Sequence, residues 1–375
     1  FKYRPEIDGL RAIAVLSVIF YHAQLTIFGF SPFKGGYIGV DIFFVISGYL
    51  ITSLILKELK EENKFSFTYF YERRVRRILP VLLFIIIFFI PFGWFYLLPG
   101  SFLEFSKSIL TVIGFSSNFY FHISGLEYAG IEAMYKPFLH TWSLSVEEQY
   151  YLIFPILVIL IYKFLNKYLL NIFILFFILS FFSAIFGSIS STSANFYLIH
   201  SRFWELLAGS ILAHLEIKKI KRSENKLLNE ILPIIGLLLI MIFIIFNDDK
   251  INHPSLKTFF PVFGTCLFIW FSKKGTIHNK IISFKPIVAT GLISYSLYLW
   301  HYPIFAFARI TELTQGNNLI KLLIALVIIL LSIFSYFMVE KPFRDKQRVT
   351  KKNLIKIILS ALILIVLTNI LVIKN

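Results

Sequence analysis

Cysteine is almost absent from this chain, and charged residues are scarce. The single cysteine, Cys266, stands inside an apolar run. One cysteine excludes a disulfide framework and a Cys-based metal site, and an apolar setting does not favour catalysis by a thiolate. Charged residues make up 15% of the 375 residues, against 57% hydrophobic residues. A soluble domain of this length needs a more polar surface, so the predicted solvent is lipid.

Acidic residues are few as well. The chain has 21 Asp and Glu against 37 Lys and Arg, which gives a formal net charge of +16. A basic excess of this size is a known mark of nucleic-acid-binding proteins. Here, however, Lys and Arg fall into short loops between apolar runs, the pattern that sets membrane topology. We therefore predict membrane lipids as partners and no nucleic acid.

Long apolar runs dominate the rest of the sequence. Alternating ten-residue strands, the mark of a membrane β-barrel, are missing, whereas several runs approach the ~20 residues that cross a bilayer as a helix. We predict an all-α polytopic membrane protein, a bundle of about ten transmembrane helices plus an eleventh C-terminal helix. The predicted spans lie near 11–30, 37–56, 78–98, 142–162, 168–187, 200–216, 229–247, 255–272, 285–308, 318–338 and 354–373.

Basic residues concentrate in four loops between these spans. The loops carry seven, five, four and six Lys or Arg, and the positive-inside rule places them in the cytoplasm. They are the loops 57–77, 216–230, 272–285 and 340–353. The remaining loops are nearly free of basic residues and are predicted to face outwards.

One further apolar segment, 102–124, does not fit a full crossing. It contains Glu104, Lys107 and Asn118. A crossing there would place the basic loops on opposite sides of the membrane. We predict a re-entrant or buried segment that opens on the outer side, because irregular backbone is tolerated at membrane depth where protein or water surrounds it.

The first span carries two ionisable residues, Arg11 and His22. Eleven helical residues return to the same face within about 20° and rise about 16 Å, so one face has a cation near the cytoplasm and an imidazole near the exterior. A topology charge and a packing histidine would explain the pair equally well. The cost of burying ionisable groups in a membrane keeps a functional role open.

The second span begins with a glycine-rich stretch and carries Asp41. The glycines permit a close helix approach, and packing explains them better than ligand contact. A carboxylate just inside the outer boundary needs a partner such as Arg or His. Asp41 is therefore a candidate site residue.

The first cytoplasmic loop contains four arginines within five residues and no lysine among them. Topology alone explains basic residues there, but it does not require arginine, and the other basic loops are rich in lysine. A guanidinium binds phosphate bidentately, so this cluster suits a phosphate-rich ligand. Its members are Arg73, Arg74, Arg76 and Arg77.

Polar residues also mark the outer ends of later spans. The stretch 140–151 (HTWSLSVEEQYY) opens the fourth span, and helical spacing places a base, a hydroxyl and an acid close to one face. Capping by Thr141 or Ser143 explains part of this pattern. Each of the further candidates is a weak signal by itself, and aromatic anchoring at the interface explains the tryptophans among them well. They are His200, Arg202, Trp204, Glu205, Trp300 and His301.

Together these motifs resemble acyltransferase family 3, and more closely its bacterial O-antigen and lipopolysaccharide O-acetyltransferases. The matching pieces occur in order along most of the chain. They are RPEIDGLR (4–11) with His22, 39–50, 73–80, 141–151, 295–303 and VEKPFR (339–344).

The resemblance implies a membrane-bound O-acyltransferase in the bacterial inner membrane. The implied co-substrate is acyl-coenzyme A, most simply acetyl-coenzyme A, with no metal. The implied acceptor is a hydroxyl of an envelope polysaccharide or lipid-linked glycan such as O-antigen. Residues 1–345 would form the acyltransferase domain. Residues 346–375 would form a cytoplasmic linker and the eleventh helix, leading to an external domain of the SGNH type.

The resemblance also implies roles for single residues. His22 would be essential, with Arg11 beside it. As a hypothesis beyond the resemblance, Glu147 or Asp41 would orient the His22 ring. The four arginines would meet the donor's phosphates. The candidates for contact with the acceptor are Trp142, Ser143, Trp300 and His301.

Two other classes of protein remain open at this point. A transporter or flippase would use buried His and carboxylate groups to relay protons or bind a glycan, and would carry inverted repeats, which we do not find. A scaffold for assembly would leave the arginine cluster unexplained.

Overall fold

The computed structural model describes residues 3–26, 28–128, 130–218, 220, 222–248, 252–314 and 316–374. Over these residues the chain forms helices and no β-strand, so the predicted all-α class is confirmed. Lys219 and Lys221, in the basic loop 216–230, lie outside the described residues.

The described α-helices follow one another with connections of different lengths, of which the longest are 24–38, 124–140 and 247–258. In chain order they are α1 (Pro5–Ala23), α2 (Gly39–Glu62), α3 (Phe67–Tyr96), α4 (Pro99–Ile113), α5 (Ser117–Ile123), α6 (Thr141–Leu165), α7 (Leu169–Ser190), α8 (Thr192–Tyr197), α9 (Phe203–Ile217), α10 (Lys226–Phe246), α11 (Phe259–Phe271), α12 (Ile277–Ile282), α13 (Lys285–Leu292), α14 (Ser294–Ile310), α15 (Asn318–Ser335), α16 (Lys341–Arg344) and α17 (Lys351–Lys374). A π-helical turn, Tyr336–Glu340, joins α15 to α16.

Six helical stretches of the described chain are long and apolar enough to cross a membrane. They are Gly36–Glu62, Phe67–Tyr96, Thr141–Ser190, Lys226–Phe246, Asn318–Arg344 and Lys351–Lys374. The third of these has 50 residues and contains both α6 and α7, which a 3-10 turn separates. The multi-pass membrane architecture predicted from hydropathy is therefore confirmed.

Four predicted spans correspond to shorter or interrupted helices. Helices α1, α9 and α11 have 19, 15 and 13 residues. The predicted span 285–308 is divided between α13 and α14, with the break at Ile293. The outer ends of the last three segments agree with the predicted spans to within two residues when the 3-10 turns Ile199–Ser201 and Leu256–Thr258 are included. Helix α1 begins six residues and ends seven residues before the predicted span 11–30.

The unusual segment 102–124 forms two helices instead of one. Helix α4 ends at Ile113, and α5 begins at Ser117. Between them Phe115 has a φ of 49°, a left-handed conformation that interrupts a helix. A broken segment fits the predicted departure from a simple crossing, and the side on which it opens stays a prediction.

The chain divides into two compact units. The first comprises Phe1–Phe65 and Val146–Ser294, and the second comprises Ser66–Ser145 and Tyr295–Asn375. In the first unit α2 packs along α9, α10 along α11, and α1 along α13. In the second unit α17 packs against α3 and α4.

Glycine makes a close contact between two helices of the first unit possible. A Cβ atom on Gly48 of α2 would lie 1.8 Å from the backbone oxygen of Leu206 in α9. On the other helix, a Cβ on Gly209 would lie 2.0 Å from the oxygen of Val45. The two backbones therefore touch through reciprocal glycines, as small residues allow in membrane helices. This observation confirms the packing role predicted for the glycine-rich second span.

Replacing Gly48 by alanine is expected to lower the free energy of unfolding by about 1–3 kcal/mol, because a methyl group would force the two backbones apart. The measurement is the melting temperature of the purified protein in detergent. Gly100→Ala is the matched control, since a Cβ there meets nothing within 4 Å. Equal melting temperatures for the two variants would contradict this view of the contact.

Candidate active site

Helix α1 holds Arg11 and His22 at two separate places. Arg11 donates hydrogen bonds to Asp8 Oδ1 (3.1 Å) and to Ser294 Oγ (2.8 Å). Asp8 precedes Arg11 by one turn, so the guanidinium is held towards the start of the helix. His22 lies in the last turn, about 16 Å further along the axis. The structure therefore does not bring Arg11 beside His22.

The imidazole of His22 is buried, with 7% of the residue exposed. Its ring centre lies 4.9 Å from that of Tyr21, edge to face. Tyr21 in turn packs on Tyr37, with 5.5 Å between ring centres. The histidine thus occupies an aromatic environment within the first unit.

Asp41 is fully buried, and it has the Arg and His partners that a carboxylate needs inside a membrane. Arg202 Nη1 donates to Asp41 Oδ1 at 2.9 Å and to Glu205 Oε1 at 3.2 Å. The Nε2 atom of His253 lies 3.1 Å from Asp41 Oδ2. The expectation that Asp41 needs an Arg or His partner is confirmed, since it has both. Two carboxylates, one guanidinium and one imidazole form what we call the Asp41 cluster: Asp41, Arg202, Glu205 and His253.

His253 is the member of this cluster that sequence reasoning missed. It follows the apolar helix α10 in a connection, and its Nδ1 atom lies 3.1 Å from Thr258 Oγ1. Burial lowers the pKa of His253, and the neighbouring Asp41 carboxylate opposes that shift. Its location between two spans on the predicted outer side was the signal that could have drawn attention to it.

The Asp41 cluster approaches His22 through aromatic rings. The ring of Tyr37 lies 4.9 Å from that of His253, and Tyr37 also packs on Tyr21, the chain neighbour of His22. Asp41 is therefore linked to His22 by packing through other side chains. Its carboxylate is engaged by Arg202 and His253, so the predicted direct orientation of the His22 ring by Asp41 does not occur in this geometry.

The polar face of α6 is shared among different partners. Ser47 of α2 donates a 2.7 Å hydrogen bond to Glu147 Oε1. Tyr150 is within 2.8 Å of Ser210 Oγ on α9. Glu147 is thus bound to α2, the helix that also carries Asp41. Its partner Ser47 lies about two turns after Asp41 on that helix.

In the second unit, the start of α6 meets α14. Ser143 Oγ and Tyr298 Oη are 2.7 Å apart, and Tyr298 also donates to the backbone oxygen of His140 at 2.7 Å. The rings of His140 and His301 lie 5.3 Å apart. The structure thus brings Ser143 and His301, two predicted acceptor contacts, into one buried cluster.

The two predicted acceptor tryptophans are also buried. Trp300 donates from Nε1 to Ser335 Oγ at 2.7 Å. Trp142 packs edge to face on Tyr128, with 6.1 Å between ring centres. Both side chains belong to the interior of the second unit, and their contact with an acceptor stays a prediction.

The four arginines at the start of α3 have different surroundings. Arg76 is 2% exposed, and it donates to Glu72 Oε1 (2.9 Å), the Phe343 oxygen (3.1 Å) and the Val349 oxygen (2.7 Å). Arg73 is exposed, with its guanidinium 5.4 Å from the ring centre of Tyr69. Arg76 therefore stabilises the local fold. Arg73, in contrast, is accessible to a phosphate-rich ligand.

The remaining arginines, Arg74 and Arg77, are half-buried. Within the described parts of the chain, no group of three or more His, Cys, Asp or Glu side chains is arranged to hold a metal ion.

The fold and these clusters define a multi-pass helical membrane protein with ionisable side chains buried among its helices. A family model described as an acyltransferase domain matches residues 4–339. The chain belongs to this acyltransferase family, and the resemblance derived from the motifs is confirmed.

Curated relatives agree with this membership. The chain is 32% identical over 357 residues to O-acetyltransferase OatA of Staphylococcus aureus (strain NCTC 8325), a match that covers 92% of this chain and 58% of the relative. It is 32% identical over 354 residues to peptidoglycan O-acetyltransferase OatA of Listeria monocytogenes, covering 92% and 56%. The chain thus spans somewhat more than half the length of these relatives. No solved structure matches it significantly.

Proposed function

We propose that this chain transfers an acetyl group from acetyl-coenzyme A in the cytoplasm to a hydroxyl of a cell-envelope glycan, and that it does so in the bacterial cytoplasmic membrane. The observation that carries the proposal is the buried imidazole of His22 in a chain of an acyltransferase family. Acyl transfer to a hydroxyl needs a base or a nucleophile, and histidine serves as either.

Peptidoglycan is the acceptor that we propose. One of the relatives is named as a peptidoglycan O-acetyltransferase, and it matches 92% of this chain. This acceptor replaces the O-antigen that the motifs suggested. Both are envelope glycans with free hydroxyls, so the chemistry required of the membrane domain is the same.

The proposed reaction exchanges a thioester for an oxygen ester. The C–S bond of the acyl donor breaks, a C–O bond to the acceptor forms, the hydroxyl loses its proton and the coenzyme thiolate gains one. His22 would take the hydroxyl proton as a general base, or would carry the acyl group on a ring nitrogen between two transfers. Either role needs a neutral imidazole, which has a lone pair on one ring nitrogen.

The donor would bind through exposed arginine at the start of α3. The basic loop 57–77 is cytoplasmic by the positive-inside rule, which is where acyl-coenzyme A is found. Arg73 is exposed there, and guanidinium groups bind phosphate bidentately. Arg74 and Arg77 would assist, while Arg76 would hold the local fold.

The test is transfer by the purified full chain in proteoliposomes. Acetyl-coenzyme A labelled in its acetyl group is supplied together with peptidoglycan fragments, and the glycan is analysed for label that mild alkali removes. We expect an ester on the glycan and an equal amount of released thiol. Movement of unaltered donor or glycan into the vesicles, without ester formation, would favour a transporter instead.

A further inference from the structure

His140 is a buried histidine to which the proposed function gives no role. It directly precedes α6, and 1% of the residue is exposed. The ring of Tyr302 stacks on it, with 5.2 Å between ring centres and 13° between planes. The ring of His301 lies edge to face at 5.3 Å, and that of Tyr298 lies tilted at 5.2 Å. His140 therefore belongs to the interior of the second unit, and its surroundings are mostly aromatic.

Neither ring nitrogen of His140 has a hydrogen-bond partner in the structure. The backbone oxygen of Leu299 lies close to the ring, but outside the geometry of a hydrogen bond. A neutral imidazole has one N–H group and one nitrogen with a lone pair. Because a carbonyl oxygen only accepts, Leu299 could serve the N–H group and never the lone pair. The lone pair of His140 is thus buried without a donor, which destabilises the fold.

The polar groups around His140 are, in contrast, matched within the second unit. Ser143 Oγ and Tyr298 Oη are 2.7 Å apart, and Nδ1 of His301 lies 2.6 Å from the backbone oxygen of Tyr298. Thr141 donates to a backbone oxygen three residues before it, at 2.7 Å. A histidine that stays unmatched among matched neighbours, at a cost to stability, points to a bound ligand.

The free nitrogen of His140 determines the chemistry of this ligand. It accepts one hydrogen bond, and its aromatic surroundings disfavour a charged group, which is far more costly to bury than a hydroxyl. A hydroxyl is therefore the group that fits. The start of α6 lies on the predicted outer side of the membrane, where a glycan acceptor is found. Water has the same chemistry, but a water molecule there would leave acceptor affinity independent of His140.

Tyr302 closes the site in this structure. Its ring covers one face of His140, and its hydroxyl donates to the backbone oxygen of Ala133 at 2.9 Å. Ala133 belongs to the 3-10 turn Glu132–Tyr135, in the connection between α5 and α6. An acceptor therefore reaches the His140 ring only when Tyr302 is displaced.

We propose that His140 binds the acceptor by accepting a hydrogen bond from a glycan hydroxyl on its free ring nitrogen. This inference rests on the proposed function, because it takes the acceptor to be an envelope glycan. The contact serves binding and transfers no proton. Its loss should therefore raise the KM for the acceptor and leave kcat close to that of the wild type.

The test is His140→Phe, which keeps a ring of similar size and removes both nitrogens. The measurements are the dissociation constant of disaccharide-peptide fragments of peptidoglycan, by calorimetry on the purified full chain in neutral detergent, and their KM in proteoliposomes. We expect both to rise about tenfold, the effect of one lost hydrogen bond, with an unchanged KM for acetyl-coenzyme A. The melting temperature should stay equal or rise, because no hydrogen bond within the fold is lost. His140→Gln, which restores an acceptor oxygen, should recover part of the affinity.

His122→Phe is the matched control. It makes the same substitution at a half-buried histidine of α5, in the same unit, and should leave acceptor affinity unchanged. Wild-type dissociation constant and KM in His140→Phe would overturn the proposal and leave His140 to packing or to a bound water. Lower melting temperatures of both His140→Phe and His140→Gln would show that the ring nitrogens have partners in the fold, and would overturn it too.

The two proposals fail in different ways. Fragment binding that depends on His140, in a protein that forms no ester, would contradict the proposed function and keep the acceptor site. Ester formation with wild-type KM in His140→Phe would keep the function and exclude the site.

Discussion

Replacing His22 by alanine is expected to reduce acetyl transfer by about 10²- to 10⁴-fold, the range typical for loss of a general base. His22 is buried in the last turn of α1, in contact with the Tyr21 ring, and it belongs to a chain of an acyltransferase family. If the imidazole carries the acyl group, the loss is at least as large, because the transfer has no covalent route without it. The measurement is labelled ester formed per minute in proteoliposomes.

Two further variants make this result specific. His22→Gln keeps a polar side chain of similar size but offers no basic nitrogen, so it should be as inactive as His22→Ala. His122→Ala removes a half-buried histidine from the short helix α5 and should keep wild-type activity. Melting temperatures of all three variants close to that of the wild type would exclude misfolding. Wild-type transfer by His22→Ala would show that the imidazole has no chemical part in the reaction.

Local pattern was enough to predict the helices and several properties of single residues. Charge-free runs predicted the membrane helices because the bilayer selects for apolar length. The glycines of the second span predicted a close helix contact, which Gly48 makes with Leu206. The cost of a carboxylate in a membrane predicted that Asp41 would have a cationic partner, and the structure supplies Arg202.

The partners themselves could not be predicted, because helical periodicity describes one helix at a time. Asp41 meets His253 across 212 residues, and Arg76 meets Val349 across 273. Nothing in the spacing of either residue indicates which distant connection will pack against it. The His253 contact was missed for this reason.

The arginine cluster shows the same limit within a single helix. Arg73 and Arg76 are one turn apart and about 60° apart around the axis, so their spacing predicts similar roles. Only the packing of the loop 343–349 separates them, since it covers Arg76 and leaves Arg73 exposed. Which face of a helix is buried depends on the rest of the fold, whereas the sequence of that helix shows only which residues share a face.

The second large effect is expected from Arg202→Met, which should lower the free energy of unfolding by about 3–5 kcal/mol. Arg202 is 1% exposed and donates to both Asp41 and Glu205. Its Nε atom also donates to the Phe196 oxygen at 3.1 Å. Methionine keeps most of the side-chain volume, so the main change is the loss of the positive charge between two buried carboxylates. The measurement is the shift in melting temperature of the purified protein in detergent.

A rescue experiment separates this charge effect from simple loss of packing. If the two buried carboxylates cause the instability, the triple variant Arg202→Met/Asp41→Asn/Glu205→Gln should recover most of the lost stability, because neutral groups of the same shape are far cheaper to bury than unpaired charges. Loss of packing would instead persist in the triple variant. Arg348→Met is the control, because it removes an exposed arginine. Its melting temperature should equal that of the wild type. A triple variant no more stable than Arg202→Met would therefore assign the role of Arg202 to its packing on Phe196, where its guanidinium lies 4.9 Å from the ring centre.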